Sequence, residues 1–113
     1  MAALQGETQM KKKISTYHED LIKRLKDPRY AEAYLNATLE DDDKKVFLLA
    51  LRNVAEAQGG MAKFARLTKI SREHIYRMLS EKGNPELSTL KNLLNAFGLK
   101  LAIETKNEQR KAA

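Results

Sequence analysis

The chain has 113 residues with 21 lysines and arginines against 15 aspartates and glutamates, giving a formal charge of +6 and a pI near 9.6. That balance suits an anionic partner, and the length suits one domain with an accessory segment. The absence of cysteine excludes disulfides, thiolate catalysis and cysteine zinc sites, while the lack of a long apolar run and of an apolar stretch within Met1 to Met10 points to a cytoplasmic protein with no membrane contact.

Residues 1–14 are polar, end in Lys11, Lys12 and Lys13, and read as a disordered tail whose lysines are either solvated or a flexible arm toward phosphate. Residues 15–40 read as an N-terminal helical extension. Tyr17, Leu21, Ile22 and Leu25 fall on one side of a first helix and Glu19, Asp20, Lys23 and Arg24 on the other. His18 is a lone histidine and reads as surface. Asp27 and Pro28 interrupt, and a second run follows through Tyr30, Ala33, Tyr34, Ala37 and Leu39. These stripes need burial, either as a cover for the core or as a surface for another protein, with Tyr17, Leu21, Tyr30 and Tyr34 as candidate partner contacts.

Glu40, Asp41, Asp42 and Asp43 precede the apolar run Val46 to Leu51, which continues to Val54 and Ala57. Carboxylates in a first turn complement the helix dipole, so capping by Asp41 or Asp42 is expected in preference to a metal site. Gly59 and Gly60 then stop the helix.

The most informative stretch follows, within a domain expected over residues 41–99. Phe64, Ala65, Ile70, Ile75 and Leu79 are spaced to close two short helices on one core, with Lys69 and Ile70 in the turn between them. Ser71 can cap the second helix, and Arg72, Glu73, Tyr76, Arg77 and Ser80 then share its outward side. Arginine offers two hydrogen bonds to guanine and glutamate accepts from cytosine, so Arg72, Glu73, Tyr76 and Arg77 are the candidate base contacts in a major groove. Lys63, Ser71, Ser80, Lys82 and Asn84 are the candidate phosphate contacts, which set register without reading sequence. His74 suits a boundary or backbone contact. From Gly59 to Gly83 six basic residues face two acidic ones, so this segment carries +4 of the chain's +6. The bland alternative is a helical hairpin charged for solubility alone.

Ser80 to Pro85 reads as a turn, and Leu87, Leu90, Leu93, Leu94 and Phe97 recur at helical steps until Gly98. Leu99, Leu101 and Ile103 then alternate with Lys100, Ala102 and Glu104, which is strand periodicity over residues 100–105. A single strand needs a partner, so Leu101 and Ile103 are expected to pair with a second copy or with a strand of another protein. Residues 106–113 read as a tail. No glycine-rich phosphate loop, metal-ligand cluster or nucleophile beside a base appears, so neither catalysis nor a cofactor or metal is expected.

The block from Ser71 to Ser80, SREHIYRMLS, followed by Gly83-Asn84-Pro85 and Gly98-Leu99-Lys100-Leu101, resembles the Xre/Cro-type helix-turn-helix. With Asp27-Pro28-Arg29-Tyr30, Tyr34-Leu35-Asn36 and Leu39 upstream, the chain is similar to addiction-module antidote (antitoxin) proteins, a HigA-like group, over about Tyr17 to Glu104. The resemblance implies a mainly α, lambda-repressor-like bundle with an N-terminal helical extension and a short C-terminal strand. It also implies a homodimer on palindromic double-stranded DNA, and a RelE/ParE-like or HigB-like toxin that the antitoxin neutralises while repressing its own operon. Its base-contacting positions fall on Arg72, Glu73 and Arg77. Met61 stands where many Xre domains carry glutamine. Leu79 stands where many carry glutamate, so apolar packing is expected in place of a buried ionic tie. The alternatives are a module that mainly neutralises a toxin, or a phage-type regulator without one.

Overall fold

Phe64, Leu25, Leu51, Ile75, Leu79, Leu93 and Val54 are shut off from solvent and sit in a single apolar cluster. Five of these side chains come from four helices and Leu25 and Leu79 from the residues just after two helix ends, and the helix termini explain how the chain brings them together. In the computed structural model, which describes residues 16–106, six helices are present and no strand. They are α1 (16–24), α2 (Pro28–Leu39), α3 (Lys44–Ala57), α4 (Met61–Thr68), α5 (Arg72–Met78) and α6 (Leu87–Ala96). Residues 1–15 and 107–113, which hold the tail read at 1–14 and all but Lys106 of the tail read at 106–113, lie outside the described residues. None of the helices is long and apolar enough to cross a membrane, among the described residues.

Helix α1 ends where Asp27 accepts from the Arg29 amide at 3.0 Å and caps α2, with Pro28 in its first turn. That proline has no amide to leave unpaired and its φ suits a helix start, so one dipeptide stops one helix and begins the next. Leu25 is fully buried, Leu21 and Ile22 pack beside it, and Ala31 and Leu35 carry the buried face of α2. This differs from the stripe read through Tyr30, Ala33 and Ala37, which is exposed. Ala31, Leu35 and Thr38 form an equally regular 3.6-residue face; of the expected stripe only Tyr34 is partly buried, and Leu39, equal in size to Leu35, is exposed.

The cap of α3 is Asp43, which accepts from the Lys45 amide at 3.0 Å; Asp41 accepts from the Asp43 amide at 2.8 Å. Neither Asp41 nor Asp42 takes the cap position expected from the sequence, because the chain becomes helical one residue later and only Asp43 then faces the free amides. At the other end the Gly60 amide donates to Ala55 at 2.8 Å and the Gly59 amide to Glu56 at 3.4 Å. With φ of 124° at Gly59 and 89° at Gly60, this is a Schellman closure, and residues with a Cβ fit there only under strain. Gln58 reaches from this end to the carbonyls of Leu25 and Lys26, and Asn53 donates to the Tyr34 hydroxyl at 3.0 Å. These bonds and the α2–α3 packing fix the N-terminal helices to α3. His18 adds an exposed contact to Glu56 at 3.3 Å.

Helix α4 bridges α5 and α6. The Phe64 ring meets Phe97 edge to face, with centroids 4.6 Å apart and planes at 90°, the arrangement favoured by ring quadrupoles. Leu79 is fully buried, in line with apolar packing at that position. Past α6, Leu99 donates to Leu94 and closes the helix end, and the chain runs on to Lys106 without regular structure. The strand expected at 100–105 is therefore not formed within the described chain, which contains no other strand to complete its hydrogen bonds.

Candidate nucleic-acid interface

Helix α4, the turn Lys69 to Ser71 and helix α5 form the unit on which the site is built. Lys69 closes α4 in the left-handed region at φ 62°, and Ser71 opens α5 by accepting from the His74 amide at 3.1 Å. Ile75, Met78 and Leu79 hold α5 to the core. Arg72, Glu73, His74, Tyr76 and Arg77 are exposed by the same helical geometry. No ion pair among the described residues engages Arg72, Glu73, Arg77 or Lys82. The result is one short helix, rigid on its inner side, that presents two guanidinium groups and a carboxylate to solvent.

Tyr76 is half exposed and occupies the flank of α5 nearest α3. With Leu49, Arg52, Asn53, Glu56, Gly60 and Met61 it lines a groove of about 270 Å³. Arg52 was not singled out in the sequence, and its Nε is buried without a hydrogen-bond partner. Periodicity of α3 marks Leu48, Leu51 and Val54 as its inner face, but carries no signal that the flank of α3 bearing Arg52 meets α5.

The candidate phosphate contacts divide in two. Lys82 and Asn84 are exposed in the turn after α5. The polar groups of Ser71 and Ser80 serve the helix itself, Ser71 as its cap and Ser80 by donating to the Arg77 carbonyl at 2.7 Å. The Lys63 ammonium donates to the Gln58 carbonyl at 2.9 Å and lies 5.8 Å from the Phe64 ring centroid. It completes the C-terminus of α3, where a cation complements the helix dipole.

Two substitutions test how the presenting helix is held. Ser71→Ala removes the cap, and we expect a loss of about 1 kcal/mol in denaturant unfolding. Gly83 is buried, and a Cβ there would lie 1.8 Å from the Met78 carbonyl oxygen and 2.9 Å from that of Arg77. Both are backbone atoms at the end of α5 that no rotamer change can move. Gly83→Ala should therefore displace the turn bearing Lys82 and Asn84 and cost about 1–3 kcal/mol or more, read as a lowered unfolding midpoint.

The candidate partner contacts also separate. Tyr17 and Tyr30 are exposed, Ile103 entirely so, and Leu101 is 39 % exposed; Leu21 and Tyr34 are partly buried against the core. Leu21 packs against the core cluster, and the Tyr34 hydroxyl is engaged by Asn53. Both belong to the packing of the N-terminal helices and not to an open surface. Tyr30 lies near Arg24, whose pKa is raised first by Asp20, 3.2 Å away, and then by the Tyr30 hydroxyl. Leu39, absent from the expected set, is 53 % exposed. No group of three or more histidines, aspartates and glutamates suited to a metal ion occurs among the described residues.

The described residues thus form a small helical unit with a short, capped helix exposing two arginines and with exposed apolar residues elsewhere. Residues 15–105 match a family model described as "Probable addiction module antidote protein". The chain belongs to that family. A curated protein of Haemophilus influenzae, described as "Uncharacterized protein", is 33 % identical over 85 residues, covering 75 % of this chain and 87 % of that one. No solved structure matches. Membership of the family implies a toxin of some kind as partner.

Proposed function

We propose that the protein is the antitoxin of a type II toxin–antitoxin module and represses its own operon. In this reading α4 and α5 act as a helix-turn-helix of the Xre type that reads DNA through Arg72, Glu73, Tyr76 and Arg77. The observation that carries the DNA half is the exposed face of α5, with two arginines and a glutamate matched to guanine and cytosine edges. Lys82 and Asn84 contact phosphate beside it. Ser71 and Ser80 contribute to positioning as parts of the helix, and Lys63 belongs to the support of α3.

As a homodimer, the protein places two copies of α5 in half-sites about 34 Å apart, one turn of a palindromic operator. The toxin, of RelE/ParE-like or HigB-like type, is bound by a different surface, with Tyr17 and Tyr30 as its exposed aromatic contacts. A protein-binding module that only neutralises a toxin is the second reading, favoured by the exposure of Tyr17 at 78 %.

The test is a titration against the chain's own upstream promoter and a scrambled duplex of equal length at two salt concentrations. We expect tight binding to the promoter alone, with a log–log salt slope near −0.9 per phosphate contact, and Lys82→Ala, which removes one contact from each protomer of the dimer, reducing that slope by about two. Equal, weak binding to both duplexes would reject DNA reading and leave the toxin-binding module.

A further inference from the structure

We propose that residues 100–104 of two copies pair as antiparallel strands about a two-fold axis through Ala102, and that this register builds the homodimer. The proposal rests on the homodimer reading above and specifies its interface.

Beyond Gly98 the chain runs beside a groove of about 670 Å³ walled by Leu35, Leu39, Phe47 and Leu94. Leu99, Lys100, Leu101, Ala102 and Glu104 all line this groove, while Ile103 is 100 % exposed. The segment has no regular structure of its own, and its sequence alternates Leu101 and Ile103 with Lys100, Ala102 and Glu104, the pattern of a chain that can pair with another strand. The sequence of the segment then selects its partner.

In a two-fold antiparallel pair centred on Ala102, Lys100 of each copy lies opposite Glu104 of the other, and Leu101 opposite Ile103. Both charged pairs and both apolar pairs are satisfied at once, and directly opposed residues are the unit of sheet stabilisation. Neighbouring registers fail. Centring on Ile103 sets Lys100 against Lys106. Centring on Leu101 sets Lys100 against Ala102. A half-step in either direction sets Leu101 against Glu104 or Lys100 against Ile103. The segment is thus complementary to itself in one register, which makes a second copy of this chain its occupant. In that pair Ile103 comes to rest beside Leu101 of the second copy, at the mouth of that copy's groove, with the exposed Leu39 on its rim.

The dimer dissociation constant of the full chain, measured by analytical ultracentrifugation, tests this. Lys100→Glu and Glu104→Lys each place like charges opposite one another twice, and each should weaken the dimer about tenfold. The double variant Lys100→Glu/Glu104→Lys should return to the native value, and an equimolar mixture of the two single variants should form a heterodimer in preference to either homodimer. Because the chain has no cysteine, Ala102→Cys should oxidise to a covalent dimer. Lys100→Cys should not, since its own copy lies well beyond the limit of about 7 Å between Cα atoms. A dimer indifferent to all these changes, with no Ala102→Cys cross-link, would overturn the register and leave the homodimer reading standing. A native chain that stays monomeric, alone and on DNA, would overturn both.

Discussion

Replacing Arg72 and Arg77 by alanine is expected to abolish promoter recognition while leaving the fold intact. Each guanidinium is exposed, engaged in no ion pair among the described residues and removed from the core cluster, so its loss changes stability within about 0.5 kcal/mol. A bidentate arginine–guanine contact contributes roughly 1–3 kcal/mol of discrimination per half-site, and a two-fold dimer loses it twice. Arg77→Ala alone should relax the preference at one operator position in each half-site, and the double variant should bind promoter and scrambled duplex alike. Competition titration with single-base operator variants checks both, with thermal unfolding as the control. A double variant that keeps the native preference would remove α5 from base reading.

Phe64→Ala is the substitution with the largest expected cost in stability. Phe64 is fully buried, its ring packs on Phe97 at 4.6 Å, and its helix α4 packs against α3, α5 and α6. Truncating such a ring costs about 3–5 kcal/mol, against a total near 5–15 kcal/mol for a domain. We expect urea unfolding to shift to a much lower midpoint and operator binding to weaken in parallel, because α5 loses the surface it rests on. Phe64→Leu, closer in volume, should cost less, and Tyr17→Ala, on an exposed side chain, should leave the midpoint unchanged within error. A native midpoint for Phe64→Ala would mean that α4 is not the bridge of the fold.

The parts of this molecule legible in its sequence are those fixed by neighbours along the chain. The outward set of α5 follows from a 3.6-residue period and one capping serine, and both are local. Leu79 is buried where apolar packing was expected. The misread features depend on what lies across space. Four successive carboxylates offer the same capping chemistry, and only the point at which the backbone turns helical selects Asp43 over Asp41 or Asp42. Lys63 is basic and next to the motif, and the Gln58 carbonyl that accepts its hydrogen bond is presented by the folded end of α3, which no local pattern shows. Tyr34 and Leu21 lie on clear apolar stripes, but periodicity does not say that α3 and the core already cover them. Residues 100–105 have the alternation of a strand, and a strand exists only when a second one completes it.

The base-reading role of α5 is tested most directly by amide chemical-shift mapping of the full chain on addition of its promoter duplex, against a scrambled duplex as reference. We expect the largest promoter-specific shifts at Ser71 to Arg77, with smaller ones shared by both duplexes at Lys82 to Asn84. Promoter-induced shifts confined to α2 and the segment after Gly98, or no difference between the two duplexes, would contradict it.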